Sequence, residues 1–346
     1  MNITAANNNG WTPLNSASDS GHVEVVKLLL AKGADVNVAS SSGWTPLNAA
    51  ASSGYVEVVK LLLAKGADVN VASSDGWTPL NAAAGSGHVE VVNLLLAKGA
   101  DVTVTSKDGW TPLNTAADSG HAEVVRLLLE KGAIATVASN NGWTPLHAAS
   151  YSGHFEVVKL LLENGSLAEV MDDQGRSPFF YACTRGHMEV VEHLSSSRNV
   201  AATTTDRYGA TPLFAATRNG HEKVVAYLLA MGCDYGSFVD GLDRTLLWWA
   251  SKSGNAQVIE AVLQLTKSEG IQVCDEDLAV EPRATPIGES SAWCKCCTRY
   301  MLEGGTHYHC ITCQGDDVDL CGECFQMGTR CHDASHVLVL RQKGAR

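Results

Sequence analysis

The tetrapeptide Trp-Thr-Pro-Leu begins at Trp11, Trp44, Trp77, Trp110 and Trp143, a step of 33 residues held through five copies. The register continues through Arg176 at the same step, then through Ala210 and Arg244 at a step of 34. A second landmark, Gly followed in most units by His, keeps the same period from Gly21-His22 to Gly254-Asn255. Self-similarity at this period describes eight small units stacked in a row, not one globular core. The first five units are near copies and the last three have diverged.

Each unit reads as two short helices and a turn. Thr12 is placed to cap a helix whose first residue, Pro13, needs no donor there. Leu14 and Ala17 give that helix an apolar side. Gly21 breaks the chain, and residues 23–30 form a second helix with a broad apolar stripe. Lys32-Gly33 ends it, the Gly supplying a left-handed turn and the Lys facing the negative end of the helix dipole. Neither helix hides its apolar face alone, so neighbouring units must stack.

The pattern Gly-x-Thr-Pro-Leu, Gly-His-x-Glu-Val-Val and Leu-Leu-Leu-x-x-Gly-Ala, complete from Gly43 through Ala67 save Tyr55 at the His place, resembles the ankyrin repeat. The resemblance covers about residues 1–265 and implies an all-α solenoid of about eight repeats that binds a protein partner on its concave face. The family's usual Thr-Pro-Leu-His occurs only at His147; Asn15, Asn48, Asn81 and Asn114 stand in the other close copies. An amide both donates and accepts, so the fold is expected to survive the exchange. Asp243 and Leu246 depart from the pattern in a way that suits an end unit, while Met1 to Asn9, only part of a hairpin, reads as a shortened beginning.

Within the array the five Trp residues are expected to stack on one another and brace adjacent units, the alternative being a stripe of aromatic anchors for a partner. The repeated His reads as structural. Ser40, Ser41, Ser73, Ser74, Lys107, Asn140 and Asn141 read as tip residues open to a partner or to solvent, and Arg218 and Lys252, at the place of Tyr151, as a basic edge. Cys183 and Cys233 read as small core residues.

From Thr266 periodicity stops. Asp275, Glu276, Asp277, Glu281, Pro282 and Pro286 are poor material for a core, so 266–290 reads as a linker in which Cys274 is a bystander. Of eleven cysteines, eight lie between Cys294 and Cys331. Cys294-x2-Cys297, Cys310-x2-Cys313 and Cys321-x2-Cys324, with a terminal pair drawn from Cys331, His332 and His336, supply eight ligands for two Zn2+ ions. About 55 residues can hardly bury an adequate core, so metal must supply folding energy. Full sets of four leave no open position for catalysis.

Residues 291–346 resemble a ZZ-type zinc finger through Tyr308-His309-Cys310-x2-Cys313 and Asp317-Val318-Asp319-Leu320-Cys321-x2-Cys324-Phe325. The resemblance implies interleaved sites: Cys294, Cys297, Cys321 and Cys324 on one zinc, and Cys310, Cys313 and His336 on the other with His332 or Cys331, His332 being preferred. Cys296, His307 and His309 are then spare groups. The single His of a RING finger's middle ligands is absent from this pattern. Several ZZ fingers grasp free protein N-termini through acidic residues, here Asp317 and Asp319, where paired carboxylates suit an ammonium group. The pairing of modules resembles fungal ankyrin/ZZ proteins.

A net charge of -12 and a pI near 5.4 argue against holding nucleic acid by phosphate neutralisation. No membrane-length apolar run and no secretory signal is visible, and nucleophile, base and phosphate-loop constellations are missing. The expectation is a non-enzymatic adaptor, cytoplasmic or nuclear: repeats binding one protein, the finger a second protein or a free N-terminus. The alternative is a substrate-recognition component of a ubiquitin or autophagy pathway.

Overall fold

The computed structural model describes residues 3–196, 203–232 and 245–268, with the backbone of five short strands between 293 and 342. Contacts divide the chain into two units, Met1–Asp172 and Asp173–Arg346. In the first, the opening helices of the repeats are α1 (Pro13–Asp19), α3 (Pro46–Ser52), α5 (Pro79–Gly85), α7 (Pro112–Asp118) and α9 (Pro145–Ser152). The closing helices are α2 (Val23–Ala31), α4 (Val56–Ala64), α6 (Val89–Ala97), α8 (Ala122–Glu130) and α10 (Phe155–Glu163). The second unit continues the pattern with pairs α11 (Pro178–Arg185) and α12 (Met188–Ser195), α13 (Pro212–Asn219) and α14 (Glu222–Ala230), and α15 (Leu246–Ser253) and α16 (Ala256–Ser268). Within each unit every opening helix packs on its own closing helix and on the next opening helix. The repeats are therefore all-helical, as their period requires.

Helices of seven to nine residues are too short to persist alone, so stacking must hold them. Val58, Val59 and Leu62 of α4, and Leu47, Ala50 and Ala51 of α3, are fully excluded from water. Each buried Val or Leu contributes about 1.5–3 kcal/mol. That burial outweighs the poor helix propensity of the β-branched run in α4.

The start of each opening helix is set by a polar network that the sequence only partly discloses. Thr45 caps α3 through Oγ1, which accepts from the Asn48 amide at 3.3 Å, and Pro46 fills the first helical position. Asn48, wholly buried, returns the contact: its Oδ1 accepts from the Thr45 amide at 3.1 Å and from the Thr45 hydroxyl at 2.7 Å. Its Nδ2 then donates to the carbonyl of Trp77, one repeat further on, at 3.3 Å. Asn15 reaches Trp44 and Asn114 reaches Trp143 in the same way, whereas Asn81 makes the bonds to Thr78 but leaves Nδ2 without an acceptor. At His147 the imidazole Nδ1 takes the acceptor's part towards Thr144. The amide oxygen of Asn48 thus does what Nδ1 of His147 does.

The Gly-His step is structural. His88 Nε2 donates to the carbonyl of Ser52 at 3.0 Å, His121 to Gly85 at 3.1 Å and His154 to Asp118 at 2.9 Å, each reaching back into the preceding repeat. Since a carbonyl only accepts, Nε2 carries the proton. Gly54 and Gly87 make room for the ring: a Cβ there would lie 2.5 Å from Nδ1 of His88 or His121, and both have φ near 76°. A second tie runs through the loops, where Asn37 Oδ1 accepts from the Asp68 amide at 2.8 Å and Asn70 Oδ1 from the Asp101 amide at 2.9 Å.

Beyond the repeats, β1 (Trp293–Cys294) pairs antiparallel with β2 (Arg299–Tyr300). A three-stranded antiparallel sheet has β3 (Thr306–Cys310) at its centre, between β4 (Asp319–Cys321) and β5 (Leu338–Gln342). Of the linker expected at 266–290, residues 266–268 instead complete α16, and the rest lies outside the described residues, as do Cys233 and Cys274. Cys183 does, and it is fully buried, as expected of a core residue. None of the described helices is long and apolar enough to cross a membrane.

Candidate functional site

The side chain after each turn glycine is where the units differ in what they offer. Trp11, Trp44, Trp77, Trp110 and Trp143 are all partly exposed. They do not stack on one another: among the described residues Trp11, Trp44, Trp77 and Trp110 make no ring contact, and Trp143 meets His147 and Tyr151 instead. One such residue per repeat puts successive rings a full helix-packing distance apart, about 8–10 Å, too far for indole-on-indole contact.

The residue 29 positions on engages the indole in one unit only. Asp172 accepts from Trp143 Nε1 at 3.2 Å. Ser40, Ser73, Ser106 and Ser139 hold the equivalent place in the earlier units, and their hydroxyls accept instead from the backbone amides of Trp44, Trp77, Trp110 and Trp143, each at 3.1 Å. The indole N–H groups of Trp11, Trp44, Trp77 and Trp110 have no partner among the described residues. Ser40 and Ser73, read from sequence as open tip residues, are therefore buried struts of the hairpin, whereas Ser41, Ser74, Lys107, Asn140 and Asn141 are exposed.

In the second unit Arg176 stands at the Trp position and is itself buried. Its Nε and Nη2 donate to Asp206 Oδ2 at 2.9 and 2.8 Å, and the guanidinium lies 5.4 Å from the centre of the Phe180 ring. Asp206 Oδ1 accepts from the amides of Tyr208 and Ala210. Burial pushes the Asp206 carboxyl up, while the Arg176 charge and these donors pull it down; four charge-assisted bonds keep the pair ionic at neutral pH.

The expected basic edge is only half present. Arg218 is 3% exposed: Nη1 donates to the carbonyl of Lys252 at 2.6 Å, and the guanidinium sits 5.7 Å from the Trp249 ring. It is a strut between repeats, held by stacking on an aromatic face. Lys252 remains partly exposed, its ammonium 5.5 Å from the Trp248 ring. On the same unit His221 Nε2 donates to the Thr184 carbonyl at 2.8 Å. Burial pushes its pKa down, with His187 and Arg185 adding to the effect against that bond, so the ring is neutral.

The cysteine-rich strands are described at the level of the backbone. Cys294 lies on β1, Cys310 at the end of β3, Cys321 at the end of β4, and Asp319 at the start of β4 opposite His309. Cys297, Cys313, Cys324, Cys331, His332, His336 and Asp317 lie outside the described residues. His307 pairs with Cys321 and Cys310 with Leu338. Cys310 is therefore three residues, about 10 Å, along the sheet from the level of Cys321. β1 approaches β4, which brings the strands of Cys294 and Cys321 together. A donor set of thiols and imidazoles fits an ion that prefers nitrogen and sulfur in tetrahedral array, such as zinc.

A family model described as ankyrin repeats in three copies matches residues 38–106, 99–172, 164–239 and 195–277, and one described as a single ankyrin repeat matches 9–41. The chain belongs to the ankyrin-repeat family. Ankyrin repeats are modules of protein–protein interaction and are generally non-catalytic. No curated protein matches the chain.

Proposed function

We propose that the chain is a non-enzymatic adaptor in which the repeats bind one protein on their concave face and a zinc-held ZZ-type finger at 291–346 binds a second protein or a free protein N-terminus. The observation that carries the first half is the set of partly exposed indoles of Trp11, Trp44, Trp77 and Trp110, at the same place in successive units, whose N–H groups have no partner among the described residues. Nothing in the stacking of the repeats requires them to face water.

The finger reading rests on the donor set. Cys294, Cys297, Cys321 and Cys324 would hold one zinc, and Cys310, Cys313, His336 and His332 the other. The backbone supports this division, since Cys310 and Cys321 are separated along the sheet while Cys294 and Cys321 lie on approaching strands. Leu338, opposite Cys310, is two residues after His336, within reach of one site. Zinc here supplies folding energy and no catalysis.

Asp319 and Asp317 are the residues proposed to meet an N-terminal ammonium. The test is binding of a peptide library to the full zinc-loaded chain with each N-terminus free or acetylated. Charge-assisted hydrogen bonds of this type contribute about 1.5–3 kcal/mol, so acetylation or Asp319→Ala is expected to weaken binding by roughly 10- to 100-fold. Equal affinity for the acetylated peptides would remove the N-terminus reading and leave a docking module of another kind.

A further inference from the structure

We infer that the ladder of Trp11, Trp44, Trp77 and Trp110 is a reading head for a basic, proline-rich segment of the partner in the polyproline II conformation. The inference rests on the protein-binding reading above and names the class of ligand. Three observations converge on it. The four indoles are partly exposed and their N–H donors are unused within the described residues, while the fifth, Trp143, has surrendered its donor to Asp172. The change of Ser to Asp at residue 172 thus marks the end of the ladder.

The pitch comes next. α1, α3, α5 and α7 pack side by side, so equivalent side chains recur about every 8–10 Å. A polyproline II strand turns once every three residues, about 9 Å. Each turn then presents a proline ring to the gap between neighbouring indoles and a solvated carbonyl to an indole N–H. Such a strand has no internal hydrogen bonds, is stiff before binding, and is read elsewhere by aromatic-lined grooves for those reasons. An α-helix, at 1.5 Å per residue with its carbonyls already bonded, matches neither the donors nor the spacing.

Charge selects among proline-rich ligands. Residues 1–172 carry nine Lys and Arg against sixteen Asp and Glu. Asp75 and Asp108, both exposed, stand two residues before Trp77 and Trp110, and Lys107 is the single basic residue among the hairpin tips at 40–42, 73–75, 106–108 and 139–141. A ligand with Arg or Lys between its prolines complements this face, and an acidic one is repelled.

The test uses the full chain with its indole nitrogens labelled for NMR, titrated with a peptide of four Arg-Pro-Pro triplets. The expected result is saturable binding that shifts four of the eight indole N–H signals, those of Trp11, Trp44, Trp77 and Trp110, and spares Trp143. Trp44→Phe and Trp77→Phe keep a ring but delete the donor, and each is expected to weaken binding about 3- to 10-fold, the value of one neutral hydrogen bond. Trp143→Phe is expected to leave affinity unchanged. Absence of saturable binding, equal affinity for an Arg-Gly-Ser peptide of the same charge, or unaltered affinity in the Trp44→Phe/Trp77→Phe double variant would each overturn the inference. The free-amine test of the finger is run on the same sample, so failure of this ligand class is distinguishable from failure of the adaptor reading.

Discussion

Asp206→Ala is expected to lower the stability of the repeats around α11 and α13 by about 3–5 kcal/mol, the largest effect of any single substitution considered. Arg176 is 5% exposed and Asp206 4%, so removing the carboxylate leaves a guanidinium out of water without its counter-ion. The amides of Tyr208 and Ala210 lose their acceptor in the same step. Asp206→Asn retains an oxygen for those two amides but not the charge, and is expected to fall between wild type and Ala. Replacing both partners, Arg176→Met with Asp206→Leu, removes the orphaned charge yet still strands the two amides. It should therefore recover part of the loss and not all of it. Native-state hydrogen exchange read repeat by repeat is the suitable measurement. Unchanged protection of α11 and α13 in Asp206→Ala would mean that the ion pair contributes nothing there.

The second large effect belongs to the buried amides. Asn48→Ala removes the acceptor for the Thr45 amide and hydroxyl, both buried, and the donor to the part-buried Trp77 carbonyl. Losing a helix cap costs about 1 kcal/mol, and a stranded buried polar group a further 1–3 kcal/mol. A loss of about 2–4 kcal/mol is expected, with Asn48→His restoring the Thr45 part of it, because Nδ1 of His147 accepts from the Thr144 amide in the same way. Asn81→Ala provides the internal comparison. Its Nδ2 has no acceptor, so the substitution strands one group fewer and is expected to be milder by about 1 kcal/mol. Thermal unfolding of the three variants ranks them, and equal losses at residues 48 and 81 would show that the inter-repeat bond is worth little.

Much of this architecture was legible in the sequence because it is dictated locally. Thr before Pro marks a helix start, Gly with positive φ marks its end, and a 33-residue step leaves stacking as the only way to bury the apolar stripes. The structural role of the Gly-His step was legible for the same reason. The roles of side chains that depend on the neighbouring unit were not. Asn48 was recognised as able to donate and accept, but its bond to Trp77 joins residues 29 apart in sequence. The stacking expected of the Trp ladder failed because one ring per repeat cannot bridge a helix-packing distance. Ser40 looked like any solvated tip residue until the Trp44 amide was found bonded to it. Arg218 read as a surface cation, yet the aromatic face of Trp249 and the Lys252 carbonyl give it an interior place. Signals that could have found these features were present: the single change from Ser to Asp 29 residues after Trp143, and Trp beside a basic helix end.

The proposed zinc ligands are a different case. Their pattern is wholly a matter of sequence spacing, and the strand pairings add only which of Cys294, Cys310 and Cys321 are near one another. The central claim is that a metal-independent array of repeats carries a separate, zinc-held finger. The measurement that tests it most directly is the zinc content of the purified full chain, with its far-ultraviolet circular dichroism recorded before and after chelation. The account predicts two zinc ions per chain and a helical signal that persists when they are removed, because buried Val, Leu and Asn hold the helices of the repeats. A chain that binds no zinc, or an array whose helical signal collapses on chelation, would contradict it.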